Sequence, residues 1–146
     1  MTGTAARFVH QISRPDGFPT AENFAFTEEA VPDPAPGQAL VENVYLSVDP
    51  YMRELMDGGW DLHAPLEALH RARHRVPCAG PEEGDLVFHR KGWRTHALVT
   101  PDEIRVLPDH RGVPARSYLG VLGGTGLTAY VALTRTALLK PGESVF

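Results

Sequence analysis

The sequence has one cysteine, Cys78, among its 146 residues, so no disulfide can form within the chain. It contains no apolar run long enough for a bilayer span, and residues 1–15 lack the apolar stretch of a signal peptide. Basic residues are few, because 14 Lys and Arg face 18 Asp and Glu, which leaves a net charge of -4. Nucleic-acid and anionic-membrane surfaces require a basic face. These absences predict a soluble cytoplasmic protein without nucleic-acid or membrane partners.

The first hundred or so residues read as short strands separated by turns, and the length suits one domain. The candidate strands are "ARFVHQI", "FAFTEEA", "ALVENVYLSV", two within "GDLVFHRKGWRTHALVT", and "EIRVLPD". In "ALVENVYLSV" the even positions are mostly apolar, which predicts one buried face. Its members are Leu40, Val44, Leu46 and Val48.

After Pro114 the pattern changes to that of a helix. Apolar residues at helical spacing follow a group of glycines, and Pro141-Gly142 is expected to end the helix. The final "ESVF" resembles the start of another strand. The apolar positions of the predicted helix are Leu127, Tyr130, Val131 and Leu138.

Four segments of the sequence carry a resemblance to a known family: "VENVYLSVDPYMR", "EEGDLVFHRKGWRTHALV", "SYLGVLGGTGLTAYVAL" and "KPGESVF". In this order they resemble the zinc-independent branch of the medium-chain dehydrogenase/reductase superfamily, specifically its leukotriene/prostaglandin and alkenal double-bond reductases. The resemblance implies a mainly β fold with a C-terminal helix (α+β), an incomplete GroES-like β-barrel truncated before a Rossmann domain. The implied boundaries are 1–125 for the GroES-like domain and 126–146 for a connecting helix and the start of the Rossmann domain.

The resemblance also implies a chemistry. Family members are NADPH-dependent and reduce the C=C bond of α,β-unsaturated aldehydes or ketones, and a full-length relative would be a homodimer. The chain alone is expected to be inactive, because a dinucleotide is held largely through its pyrophosphate by the Rossmann unit. The rival hypothesis from another class is a stand-alone GroES-like binding module that uses an Arg/His-rich loop for a partner.

Pro50 and Tyr51, in "DPYMR", are the candidate site residues of the first part. Pro50 fixes the backbone at a strand end and so aims the Tyr51 hydroxyl from a rigid base. A phenol can stabilise a developing enolate oxygen and supply a proton, which makes Tyr51 the candidate catalytic residue. The resemblance places both residues near the nicotinamide. The alternative is that Tyr51 is an aromatic residue that closes the barrel edge.

"GGTGLT" supplies the other candidates for cofactor binding. Thr125 can cap a helix, and the glycines either let backbone approach a ligand or permit a tight turn against the barrel. The segment is not the dinucleotide phosphate loop, which needs a strand before its glycines. The resemblance places Gly124 and Thr128 beside the nicotinamide, although many relatives carry a bulkier residue at the position of Gly124.

The stretch "LHRARHRVPCAG", residues 69–80, departs from the rest of the chain. One reading is a metal site, since His70 and His74 would share one face of a helix, but no third ligand accompanies them and the predicted metal content is none. A second is a basic recognition loop or a solvated loop. The third is an aberrant reading of the gene, in which residues 66–81 are frameshifted.

The frameshift reading rests on the genetic code. Relatives carry here a strand of the type Gly-Arg-Val-Val-x-Ser and a turn of the type Arg-x-Pro-Gly. The codons of residues 71–81, read one nucleotide later, permit Gly, Arg, Val, Ile, Glu, Ser, Arg, Ala, Pro and Gly in that order. Because neither face of the strand as written is apolar, we expect the segment to be looped out, disordered or non-native.

The frameshift hypothesis predicts the nucleotide sequence behind residues 71–81. Read one nucleotide later, the codons should spell six positions: Gly first, then a basic or small residue, and Val third. The fourth position should be either Ile or Thr, the fifth any residue, and the sixth Ser. Sequencing the locus tests this. Codons that give Glu or Ala at the first position, or that depart from the strand pattern elsewhere, favour a genuine insertion.

Overall fold

Seven strands and two α-helices make up the regular structure of residues 3–63, 70–74 and 82–145, the part of the chain that the computed structural model describes. The chain divides into two compact units, Met1–Asp109 and His110–Phe146. The division predicted at residue 125 stays a prediction. The strands are β1 (Thr4–Gln11), β2 (Phe24–Val31), β3 (Ala39–Leu46), β4 (His70–His74), β5 (Leu86–His89), β6 (His96–Val99) and β7 (Arg105–Val106).

The helices are short, and each continues into a wider π-helical turn. Helix α1 (Tyr51–Glu54) runs into Leu55–Gly59, and α2 (Gly124–Val131) runs into Ala132–Thr136. Short 3-10 turns cover Ala21–Asn23, Pro101–Glu103 and Ala115–Leu119. None of the helices in the described residues is long and apolar enough to cross a membrane. The prediction of a mainly β chain with a C-terminal helix is confirmed.

The strands form two antiparallel sheets in the first unit. β1 and β2 pair over their full lengths, from Thr4 opposite Val31 to Gln11 opposite Phe24. The second sheet has five strands in the order β6-β3-β4-β5-β7. β5 and β6, adjacent in sequence, lie apart in this sheet because β3 and β4 separate them.

The backbone of β4 occupies the centre of the five-stranded sheet. Its residues pair with β3 on one side, where His74 lies opposite Val41, and with β5 on the other, where Ala72 lies opposite Val87. The expectation that this segment is looped out or disordered is therefore wrong for 70–74; the rest of 66–81 lies outside the described residues. Strand pairing uses backbone groups, and an empty slot would leave the edges of both β3 and β5 unpaired.

Strand β3 is buried at its start and exposed at its end, which corrects the predicted buried even-numbered face. Leu40 is buried as expected, whereas Val44 and Leu46 are about two-fifths exposed, at 39% and 42%. Val48, beyond the strand, is 78% exposed. Tyr45, on the opposite face, is equally exposed at 38%, so neither face is covered at this end of the strand, where a register shift between Asn43 and Tyr45 marks a bulge.

Three apolar clusters are present among the described residues of the first unit. Two contain residues from different strands, and the third, local in sequence, packs against Val9 and Trp93, so each cluster joins elements that are distant in sequence. The clusters are Ala39, Val41, Val87, Ala97 and Val99; Met52, Met56 and Trp60; and Ala6, Phe8, Val31 and Leu40.

The segment Trp93–Thr95 joins the two-stranded sheet of β1 and β2 to the larger sheet. The Val9 amide donates to the Trp93 carbonyl at 2.9 Å, and the Thr95 amide donates to the Arg7 carbonyl at 2.9 Å. On its other side, the Asn43 amide donates to the Thr95 carbonyl at 2.8 Å. The backbone hydrogen bonds of one short irregular segment thus connect β1 to β3, in addition to the apolar cluster that the two strands share.

The second unit confirms the predicted helix but not its end. The helical turns stop at Thr136, and the next turn closes across Leu138, which has a left-handed backbone with φ 52°. The Leu139 amide then donates to the Leu133 carbonyl at 2.9 Å, so the helix ends before Pro141-Gly142. Residues 143–145 form no strand, because a strand requires a neighbouring edge.

Candidate functional site

Tyr51 is the first residue of α1, and Pro50 is its N-cap. Pro50 has helical backbone angles, φ -56° and ψ -35°, and accepts a hydrogen bond from the Arg53 amide at 3.1 Å. It therefore begins a helix rather than ending β3, which stops at Leu46. The rigid support that the sequence predicted for Tyr51 stays a prediction, but its source would be the helix start.

The Tyr51 side chain is 44% exposed, and its hydroxyl has no hydrogen-bond partner among the described residues. Desolvation raises the pKa of this phenol above 10.0, and the nearby Asp49 carboxylate raises it further, against an opposing effect of Arg90. The phenol therefore keeps its proton near neutral pH. A protonated hydroxyl that reaches solvent is a hydrogen-bond donor for an external oxygen.

A second polar group, between β3 and β5, was not anticipated from the sequence. His89 is 1% exposed, and its Nδ1 accepts a hydrogen bond from the Lys91 amide at 3.1 Å. The opposite nitrogen, Nε2, must then carry the proton that it shares with Asn43 Oδ1 at 2.8 Å. The Asn43 amide nitrogen donates in turn to the Arg94 carbonyl at 2.7 Å. A histidine at an inward position of "LVFH" was the available signal.

His89 is held in its neutral form. Desolvation, together with the positive charges of Arg94 and Lys91 and against the effect of Glu103, lowers its pKa to about 4. Its neutral ring both donates and accepts, which the imidazolium cannot do. The Asn43–His89 pair is thus a structural link between strands at neutral pH.

The three glycines before and within α2 have different surroundings. A Cβ at Gly123 would lie 2.3 Å from the Tyr118 carbonyl oxygen, and one at Gly126 would lie 1.8 Å from that of Val121. These two glycines allow the backbone to approach itself, as the tight-turn alternative holds. Gly124 has nothing within 4 Å of a Cβ, so its position is open.

Thr125 does not cap the helix, which corrects the prediction. It lies inside α2, whose N-cap is Gly123, because the helix begins at Gly124. Thr128 donates its hydroxyl proton to the Gly124 carbonyl at 2.9 Å. The oxygen of that hydroxyl keeps lone pairs for an outside donor.

The predicted site residues fall in both units. Pro50 and Tyr51 belong to the first, and Gly124 and Thr128 belong to the second. The metal alternative required His70 and His74 on one helical face, but they are the first and last residues of strand β4. Cys78 and the arginine of the loop at position 75 lie outside the described residues.

Comparisons with known proteins point to oxidoreductases. The family described as the N-terminal domain of oxidoreductase matches residues 7–70. The NADPH-dependent curcumin reductase of Escherichia coli (strain K12) is 35% identical over 144 residues, which cover 91% of this chain and 40% of that protein. Prostaglandin reductase 1 of Rattus norvegicus is 35% identical over 136 residues, 89% of this chain and 40% of the relative.

A solved structure gives the same result. CurA from Vibrio vulnificus, crystallised in complex with NADPH, is similar with a TM-score of 0.74 and 32% sequence identity. The match covers 88% of this chain and 40% of CurA. The chain therefore spans about 40% of the length of these relatives.

The glycine surroundings predict opposite effects for two matched substitutions. Gly124→Ala should stabilise the second unit by about 0.5–1 kcal/mol, since alanine favours a helix and the position is open. Gly126→Ala should destabilise it by more than that gain, because the new Cβ would overlap the Val121 carbonyl. Urea denaturation followed by circular dichroism measures both. Equal effects of the two substitutions would contradict the assigned surroundings.

His89 predicts a loss of stability on acidification. With a pKa of 6.5 in the unfolded chain and about 4 in the folded one, the unfolded state binds the extra proton between these values. The free energy of unfolding should thus be unaffected by His89 above pH 6.5 and fall by roughly 3 kcal/mol towards pH 4.

Denaturation curves across this pH range measure the effect. His89→Gln should remove the slope above pH 5, whereas the control His96→Gln, on β6, should keep it because His89 is retained. The same slope in His89→Gln as in the wild type would contradict the assignment.

Proposed function

We propose that the chain is the N-terminal, GroES-like part of an oxidoreductase of the medium-chain dehydrogenase/reductase superfamily, and that it contributes the catalytic tyrosine of an NADPH-dependent double-bond reductase. The substrates would be α,β-unsaturated aldehydes or ketones. The enzyme would be cytoplasmic and, at the length of its relatives, a homodimer. The relatives named for NADPH-dependent curcumin reduction and for prostaglandin reduction support this class.

The observation that carries the proposal is the state of Tyr51. Its hydroxyl is protonated near neutral pH and belongs to an exposed residue, and within the described part of the chain it makes no hydrogen bond that a substrate would have to displace. Reduction of an enone at its β-carbon leaves negative charge on the carbonyl oxygen. A donor directed at that oxygen stabilises the charge where it forms and can then supply a proton.

The residues proposed to contact the nicotinamide are Pro50 and Tyr51 in the first unit and Gly124 and Thr128 in the second. Open space at Gly124 leaves room for a ligand, and Pro50 offers a carbonyl and no amide proton. The Thr128 hydroxyl has given its proton to the helix, so its oxygen can accept from a carboxamide N–H. Bound NADPH would supply the hydride for the β-carbon.

The test replaces the matching 40% of the Escherichia coli curcumin reductase with this chain. The chimera should oxidise NADPH in the presence of a 2-alkenal or curcumin, followed by absorbance at the nicotinamide band. Tyr51→Phe should lower turnover by about 10²-fold, as loss of a principal charge-directed donor does. Its NADPH dissociation constant, measured by calorimetry, should change far less.

The matched control is Tyr45→Phe, which removes a hydroxyl of similar exposure, 38%, from β3. This substitution should leave turnover unchanged, because Tyr45 is not among the residues proposed to contact the substrate or the cofactor. Turnover of Tyr51→Phe at the wild-type rate would assign Tyr51 to packing and defeat the proposal.

A further inference from the structure

The last turn of the helix that begins with Tyr51 is held by two side chains from outside it. Gln11 Nε2 donates to the Met56 carbonyl at 2.8 Å, and Arg14 Nη1 donates to the same oxygen at 2.8 Å. Carbonyls in a last turn lack the amide donors of a following turn. Gln11, at the end of β1, and Arg14 therefore complete a helix more than forty residues further along the chain.

Gln11 is a donor in a fully buried position. Its exposed fraction is 0%, and its second amide proton goes to the Ser13 carbonyl at 3.0 Å. The side-chain oxygen, Oε1, is buried and has no hydrogen-bond partner in the part of the chain that the structure describes. An unpaired buried oxygen is unfavourable, and an apolar side chain of this size would avoid it. The gain from Gln11 is therefore geometric, since it fixes where the Met56 carbonyl lies.

The helix transmits this restraint to Tyr51. Met52 and Met56, 2% and 7% exposed, pack with Trp60 against Val9 and hold one side of the helix. Sliding or rotation of the helix on this apolar surface is opposed by the hydrogen bonds at Met56, because they have a direction. Tyr51, at the opposite end of the same continuous helical run, moves with it.

We propose that Gln11, assisted by Arg14, is a positioning residue that sets the orientation of the Tyr51 hydroxyl. The inference rests on the proposed function of Tyr51, and it adds a residue that does not itself contact substrate. Loss of the Gln11 donor would leave substrate binding intact and misplace the hydroxyl relative to the developing charge. A displacement of about 1 Å at a reacting group can cost on the order of 10²-fold in rate.

The kinetic test uses Gln11→Met, which keeps the length of the side chain and removes its donors, in the chimera described above. We expect kcat to fall by roughly 10- to 100-fold while KM stays within about 2-fold. Arg14→Met, at an exposed position with little risk to folding, should lower kcat by a smaller factor. Gln38→Met, the same change at a half-buried glutamine whose side chain accepts from the Ala35 amide of its own turn, is the control and should be silent.

A double substitution separates positioning from a general loss of structure. If Gln11 acts through Tyr51, Gln11→Met should lower kcat by less than about 2-fold when Tyr51 is already Phe. The same loss in both backgrounds, or an unchanged kcat in the single variant, overturns the proposal.

Tyrosine ring ¹³C NMR tests the inference in this chain without turnover. In Gln11→Met the pKa of Tyr51 should move back towards 10.0, since the ring would leave its desolvated place beside Asp49. A Tyr51 titration identical to that of the wild type overturns the proposal. An inactive wild-type chimera would refute the proposed function alone, and this titration would still decide the role of Gln11.

Discussion

The short segment Trp93–Thr95 is the connection on which the first unit depends. It hydrogen-bonds to β1 through one edge and to β3 through the other, so it completes a continuous path of backbone pairing between two sheets. Gln11 lies at the end of β1, and the helix containing Tyr51 is held there. Under the proposed role of Gln11, the larger sheet restrains the candidate catalytic hydroxyl through a segment that is itself neither strand nor helix.

Most strands of this fold could be predicted from local sequence. Short apolar runs between turn signals identified β1, β2, β5, β6 and β7, because the residues that favour a strand and those that favour a turn are neighbours in sequence. The exposed end of β3 could not be predicted, since it depends on which other elements cover the two faces of the strand there. The pairing of β4 was missed for a related reason. Composition measures side chains, whereas pairing with two flanking strands is a property of the backbone.

The candidate site was predictable only where a motif marked it. "DPYMR" drew attention to Tyr51, and the resemblance to known reductases supplied its role. The Asn43–His89 pair and Gln11 have no such mark, because polar residues in a strand usually face solvent. Their partners lie 46 and 45 residues away in sequence. Only the folded chain brings those groups together.

The contrast between the glycines of "GGTGLT" has a consequence for how such a protein can change over time. A side chain at Gly123 or Gly126 would overlap a carbonyl of the chain itself, so substitutions there are selected against through their effect on folding. Gly124 lies between these two glycines in sequence, but a Cβ there would meet no atom within 4 Å, so the restriction does not apply to it. Under the proposed role of Gly124, mutations that alter ligand preference can accumulate at this position while selection for stability keeps the turn around it constant.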